Sequence, residues 1–300
     1  MTVLFEFRGE LAALGAALIW AIASIVYTQM GRAISPTLLN LAKGLIAIAL
    51  LLVTLLVQNQ LFPAVAWSDM SWLLLSGAVG VGFGDTAYFQ ALQDIGPRRT
   101  LVLESLSPPL TALLALVFLQ EWLPPLAWLG IVLTITGVVW VVLERLTEQQ
   151  KQHTFWRRGV ICGLLAALGQ ASGAVLSRSA LAGSDINPLW STLVRLVAGC
   201  LVLLVWLAIR KVSPSELKAL KVPKNAGILV LAAFFSTYLG IWFQQIALKY
   251  AVAGVAQSLS ATSPLFVLPI AALTGDRVSW RALFGVLLAL AGIWLLFGRG

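Results

Sequence analysis

Four ionisable residues, Lys43, Asp85, Glu104 and Arg195, lie inside long apolar runs. A charge at the centre of a membrane-spanning helix costs about 2.5–3.5 kcal/mol on insertion scales, so such groups usually face a bundle interior, a partner or water. Lys43 and Arg195 each sit two turns inside their runs and are long enough to snorkel to an interface. Binding or gating therefore stands beside snorkelling for both. Asp85, in Gly82-Phe83-Gly84-Asp85-Thr86, is too short to snorkel. It must meet a cation, water or a proton, and a structural pair with Lys43 is the plain alternative. Glu104 shares a helical face with Thr100, Ser107 and Thr111, spaced four, three and four. Pro108-Pro109 breaks the backbone ladder on the following turn, as in helices that line cavities. Gln257, Ser260, Ser263 and Pro264 form the expected partner face, with inter-helical hydrogen bonding as the alternative role. Trp20, Tyr88, Trp242, Gln244 and Gln245 could line the same space, although core packing or an interfacial belt explains each aromatic equally well. Acids and bases gathered in one cavity would suit a zwitterion or polar metabolite, and a buried acid could carry a proton.

The elements that must position these residues are transmembrane helices. The 300 residues are 60% hydrophobic and only 11% charged, whereas a soluble domain averages roughly 25% charged residues. Apolar runs at about 9–29, 36–57, 70–92, 98–120, 125–143, 159–181, 188–209, 225–247, 252–274 and 280–298 predict ten spans, each near the ~20 residues a bilayer requires. Loop chemistry separates them, from Ser35-Pro36 to Thr274-Gly275-Asp276. The run from Leu11 to Tyr27 could mimic a secretory signal, but its length and its counterpart in the second half predict helix 1.

The two halves align with each other. Gly9 matches Gly159, Pro36 and Lys43 match Pro188 and Arg195, and Ala91-Leu92 matches Ala247-Leu248. Ser107-Pro108 matches Ser263-Pro264, Glu121 matches Asp276, and Gly130 and Gly137 match Gly285 and Gly292. The offset drifts slowly from 150 to 156, which predicts duplicated five-helix units over 1–147 and 148–300. Five is odd, so the second unit enters the membrane from the opposite side, giving an inverted repeat around a central cavity. Helices 5 and 10 are expected at the periphery. Glu121 and Asp276 fall at helix ends and read as loop or capping residues.

Ala17-Leu18-Ile19-Trp20-Ala21 resembles the start of the EamA-type transporters of the drug/metabolite transporter superfamily. Pro36 with Lys43 and Pro188 with Arg195 resemble that family's proline–arginine spacing. Tyr88-Phe89-Gln90-Ala91-Leu92, Leu106-Ser107-Pro108, Glu121, Leu129-Gly130 and Gly137 are similar to its most recognisable stretch. Lys43 replaces the usual Arg, Glu104 stands where a small or apolar residue is common, and Asp276 replaces Glu. The resemblance implies a ten-helix secondary transporter of small metabolites, working by alternating access, in efflux and in a bacterial inner membrane. It does not imply a particular substrate. It also implies cytoplasmic termini. The loop charges point the other way, because cytoplasmic termini would put Arg98, Arg99, Arg157, Arg158 and the basic run from Arg210 to Lys224 outside.

Other classes fit less well. The net charge of +8 is explained by basic loops against anionic lipid, and no basic, aromatic-interleaved stripe suggests nucleic acid. Two Cys and one His exclude most metal and disulfide schemes, and Cys162 and Cys200 read as small buried hydrophobes rather than a disulfide or redox pair. No HExxH, GxSxG or P-loop marks an enzyme or an ATP-driven pump. The expected partners are a small-molecule substrate, the bilayer and protons, with no cofactor and at most weak oligomerisation. A facilitative carrier or channel is the alternative, and a membrane-embedded enzyme a more distant one.

Overall fold

The computed structural model describes residues 6–28, 34–144, 155–209, 223–266 and 280–297, which are helices and their connections with no strand among them. In chain order the helices are α1 (Arg8–Thr28), α2 (Pro36–Val57), α3 (Trp67–Ser76), α4 (Asp85–Ile95), α5 (Pro97–Glu104), α6 (Ser107–Leu119), α7 (Pro125–Glu144), α8 (Trp156–Leu181), α9 (Pro188–Ile209), α10 (Pro223–Ala232), α11 (Gly240–Tyr250), α12 (Ala253–Ser260) and α13 (Trp280–Phe297). Two π-helical stretches, Gly77–Gly84 and Ala233–Leu239, join α3 to α4 and α10 to α11. Asp276, His153 and most of the Arg210–Lys224 stretch lie outside the described residues.

Local chemistry sets the helix ends. Ser35 is extended and Pro36 opens α2, where proline's missing N–H is harmless. Asn59 and Gln120, both at φ 54°, turn the chain out of α2 and α6 in the left-handed region. Gly96 at φ 81° links α4 to Pro97 at the head of α5. The break expected after Pro108-Pro109 instead falls before them, at Ser105-Leu106, and the prolines open α6. A proline clashes with the carbonyl four residues earlier but is tolerated in a first turn, so the helix must stop ahead of the pair.

Burial follows membrane logic. Ala13, Ala16, Ala17, Ala166, Ala167 and Ala171 are fully buried, while Val57, Ile209 and Trp294 point outward. Lipid solvates Val and Leu as well as protein does, so helices associate through small residues that allow close backbones. Trp67, Trp122 and Trp280 stand exposed at helix ends, where indoles favour a membrane interface. Among the described residues five helices are long and apolar enough to cross a membrane: Pro36–Val57, Arg99–Leu119, Trp156–Leu181, Pro188–Ile209 and Asn225–Tyr250. The shorter Pro125–Val141 and Leu283–Phe297 are also apolar. These two belong to α7 and α13, which pack chiefly on each other through Gly130, Gly137, Gly285 and Gly292.

The halves interlock reciprocally. α1 packs on α11 as α8 packs on α4. Gly9 lies against Tyr250 and Ala251, and Gly159 against Asp94 and Ile95. The Arg8 guanidinium covers the Tyr250 ring at 3.4 Å, while Arg158 grips Asp94 through two hydrogen bonds of 2.7 and 2.6 Å. α9 crosses the first π stretch so closely that a Cβ on Gly77 would come within 2.1 Å of the Arg195 carbonyl oxygen.

Gly77→Ala should therefore destabilise the protein by about 1–3 kcal/mol, as overpacking does, measured as thermal unfolding in detergent. Gly227→Ala, whose Cβ meets nothing within 4 Å, should be neutral beside it. The Asn187 amide donates to Gln60 Oε1 across the two loops, so single cysteines at Gln60 and Ser184 should label from the same side. Labelling from opposite sides would refute this arrangement.

Candidate functional site

Asp85 stands where the first π stretch returns to α-helix, and it anchors one cluster. Its Oδ2 takes the Lys43 ammonium at 2.9 Å and its Oδ1 accepts the Gln170 amide at 2.7 Å. α2 is stitched to the same stretch by Asn40, whose Nδ2 donates to the Val81 carbonyl at 2.8 Å and to Thr86 Oγ1 at 3.2 Å. Lys43 is only 6% exposed and its Nζ also lies 4.6 Å from the Phe89 ring centre. It ends on an acid inside the protein and does not reach for an interface. Arg195 is 2% exposed, and its Nε and Nη1 have no hydrogen-bond partner among the described residues. Glu104 likewise buries an unpartnered Oε2. Both Arg195 and Glu104 lie within electrostatic reach of Asp85. Three of the four charges picked out in the sequence thus lie near the fourth, Asp85.

A second cluster is neutral. Gln257 Nε2 donates to Ser107 Oγ at 3.1 Å, and Gln244 Nε2 donates to Gln257 Oε1 at 3.3 Å. The expected faces of the runs at 98–120 and 252–274 do meet, α12 reaching α6 through Gln257 and Ser107. Ser260 Oγ is buried without a partner among the described residues. Thr100 and Thr111 contribute less than their spacing suggests, because each hydroxyl turns back onto its own helix, to the Gly96 and Ser107 carbonyls. Gln245 stands apart from Gln244. It is fully buried, and its Oε1 accepts from Ser177 and Ser191, tying α11 to α8 and α9. Trp20 Nε1 donates to the Ser236 carbonyl in the second π stretch at 2.9 Å, so this indole braces that stretch. Trp242 belongs to a ring chain with Tyr238 at 6.2 Å and Phe243 at 6.0 Å. Tyr88 is half-buried with its ring 5.7 Å from Phe89.

Salt bridges hold the two ends of α8. Near its start is the Arg158–Asp94 pair. Twenty residues later, ~30 Å along the axis, Arg178 Nε meets Glu121 Oε1 at 2.6 Å and its Nη1 donates to the Leu248 and Lys249 carbonyls. Glu121 Oε2 accepts the Ala253 backbone N–H, so the residue read as a cap is a cap for α12 and an ion-pair partner as well. On the same side Lys249 Nζ donates to the Ile186 carbonyl and Trp190 Nε1 to the Leu61 carbonyl. Gln170, Asn40 and Arg178 were not picked out from the sequence. Their signal was present as isolated polar side chains in apolar helices.

Two related helical halves with buried charges between them define a membrane protein of duplicated build. The chain is a member of the EamA-like transporter family, whose model matches it twice, over residues 7–143 and 157–298. One solved structure, described as "Crystal structure of protein", has the same fold with a TM-score of 0.77 at 17% identity, covering 98% of this chain and 99% of that one. No curated relative matches the sequence.

Lys43→Met should cost about 3–5 kcal/mol by leaving Asp85 buried and uncompensated. The double change Lys43→Met with Asp85→Leu should recover much of that stability in detergent melts. If Lys43 served only to reach an interface, neither variant would move the melting temperature.

Proposed function

We propose that the chain is a secondary transporter that moves small polar, amino-acid-like metabolites by alternating access, in the direction of export, across a bacterial inner membrane. Its ten helices form inverted units over 1–147 and 148–300, and the four charges with the Gln257–Ser107 pair line the path between them. The observation that carries this reading is the reciprocal interlock of the halves around a buried ionic cluster. Two related units in such an arrangement can tilt against each other and open one site to alternate faces. The salt bridges at either end of α8 fit the two closures such a cycle needs. Five spans, the EamA match and the same-side contact of Gln60 with Asn187 all support the topology.

Proton coupling is part of the proposal. Glu104 buries a carboxylate oxygen unpartnered among the described residues, and the Lys43 ammonium beside Asp85 would change the field there were it to move. A proton crossing 100 mV supplies about 2.3 kcal/mol, enough for roughly a 50-fold gradient.

Proteoliposomes loaded with the twenty protein amino acids should show saturable counterflow. An untargeted metabolite comparison of overexpressing and deleted cells should then identify the solute exported. Glu104→Gln should abolish proton-driven accumulation while leaving exchange across equal gradients. Wild-type accumulation in both Glu104→Gln and Asp85→Asn would refute the coupling and leave a facilitator. Non-saturable flux without counterflow would indicate a channel. A C-terminal reporter active only in the cytoplasm would overturn the loop-charge orientation.

A further inference from the structure

We propose that Arg195, and not Lys43, is the subsite for the anionic oxygen group of the transported solute, a carboxylate or a similarly small oxyanion; this rests on the carrier reading above. The two bases occupy matched places in the two halves, eight residues counting from Pro36 and Pro188. Their surroundings differ. Lys43 is neutralised by Asp85 at 2.9 Å. The position matching Asp85, 156 residues on as Ala247 follows Ala91, is Ile241. The second half therefore gives Arg195 no acid where the first half gives Lys43 one.

Asp85 does not make up the difference, because its other oxygen is held by Gln170 at 2.7 Å. Arg195 is left 98% buried with Nε and Nη1 unpartnered among the described residues. A buried guanidinium with two of its three nitrogens unpartnered is unfavourable. An oxyanion arriving as part of the cycle removes the penalty. The guanidinium fork matches a carboxylate through two parallel hydrogen bonds, which an ammonium cannot do. Gly80 faces the fork, with a Cβ there only 3.2 Å from Nη2. A side chain there would press on the fork and on the α8 backbone at Gly173.

The test compares amino acids with their amides, which keep size and ammonium but lose the anionic group. Purified protein in chloride-free gluconate buffer is melted with the mixture of the twenty protein amino acids, with the corresponding amino-acid amides, and with chloride or inorganic phosphate alone. The acids should stabilise the wild type and the amides should not. Arg195→Gln should weaken apparent affinity for the acids roughly 10- to 100-fold, the loss expected for charge-assisted hydrogen bonds. Arg195→Lys, which keeps the charge and loses the fork, should fall between. Loss of the preference for acids over amides in Lys43→Gln paired with Asp85→Asn, with Arg195 intact, would assign the anionic group to Lys43 and overturn the proposal. Equal stabilisation by acids and amides, or unchanged affinity in a folded, monodisperse Arg195→Gln, overturns the subsite. Equal stabilisation by chloride or phosphate alone overturns it too, by making the ligand a free inorganic ion. Should Arg195→Gln fail to fold, Arg195→Lys carries the same comparison. Counterflow of the amino acids in proteoliposomes separates the two ideas: intact counterflow that ignores Arg195 removes only the subsite, and absent counterflow removes the carrier reading.

Discussion

A charge without a partner is barely tolerated inside a membrane protein, and the centre of this one is built around meeting that constraint at Asp85. The aspartate sits at the end of a π-helical stretch, where the backbone changes pitch and a side chain can be aimed between helices. Lys43 approaches from α2 and Gln170 from α8, so one carboxylate ties together both halves of the chain. Asn40, one turn before Lys43, fixes α2 to the Val81 carbonyl of the same stretch. Shifting Asp85 by one residue would turn it through about 100° and break its contacts with Lys43 and Gln170 at once. The glycines around it are subordinate to that geometry. Gly77 admits the backbone of α9, and with it Arg195, to within contact of the π stretch.

The second organising feature is the exchange of contacts between equivalent positions. Arg158 grips Asp94 where α8 starts, and Arg8, at the matching place on α1, covers Tyr250. One contact is a bidentate ion pair and the other a cation–π contact, so the geometry is kept while the chemistry differs. Exposed cation–π pairs are worth about 0.5–1 kcal/mol, less than a bidentate pair with a buried carboxylate. The side carrying Arg8 compensates with Glu121–Arg178 and the Lys249–Ile186 contact. The two ends of the bundle are thus held by different interactions.

The large-scale plan was legible in the sequence because it is written in redundant signals. Composition, repeated apolar runs and the drifting offset of matched residues each pointed to duplicated helices, and the family match covers both halves. Lys43, Asp85 and Glu104 were legible because a charge in an apolar run is rare enough to demand a reason. What escaped depends on helix rotation and pitch. The π stretches leave no periodicity signal in glycine-rich or uniformly apolar runs such as Gly77-Ala78-Val79-Gly80. Without them the facing of Asp85 toward Gln170 could not be placed. Thr100 and Thr111 shared the right face by spacing, but a threonine in a helix can satisfy itself on the carbonyl four residues back. Gln244 and Gln245 looked equivalent because they are adjacent, whereas adjacent helical positions point about 100° apart and these two join different networks.

Duplication followed by divergence also explains why the site is lopsided. An exact two-fold would place identical charges on both sides of the centre, and a solute would meet the same field whichever half it touched. Here Asp85 is matched by Ile241 and Glu104 by Ser260, while the basic positions are kept as Lys43 and Arg195. The first half therefore supplies both acids and neutralises its own base. The second supplies a buried base and the hydroxyl of Ser260, each with polar atoms left unpartnered. The scaffold is repeated while the charges are not, because a helix packing position tolerates only small residues, whereas a buried charge needs only its own partner and can change once that partner changes.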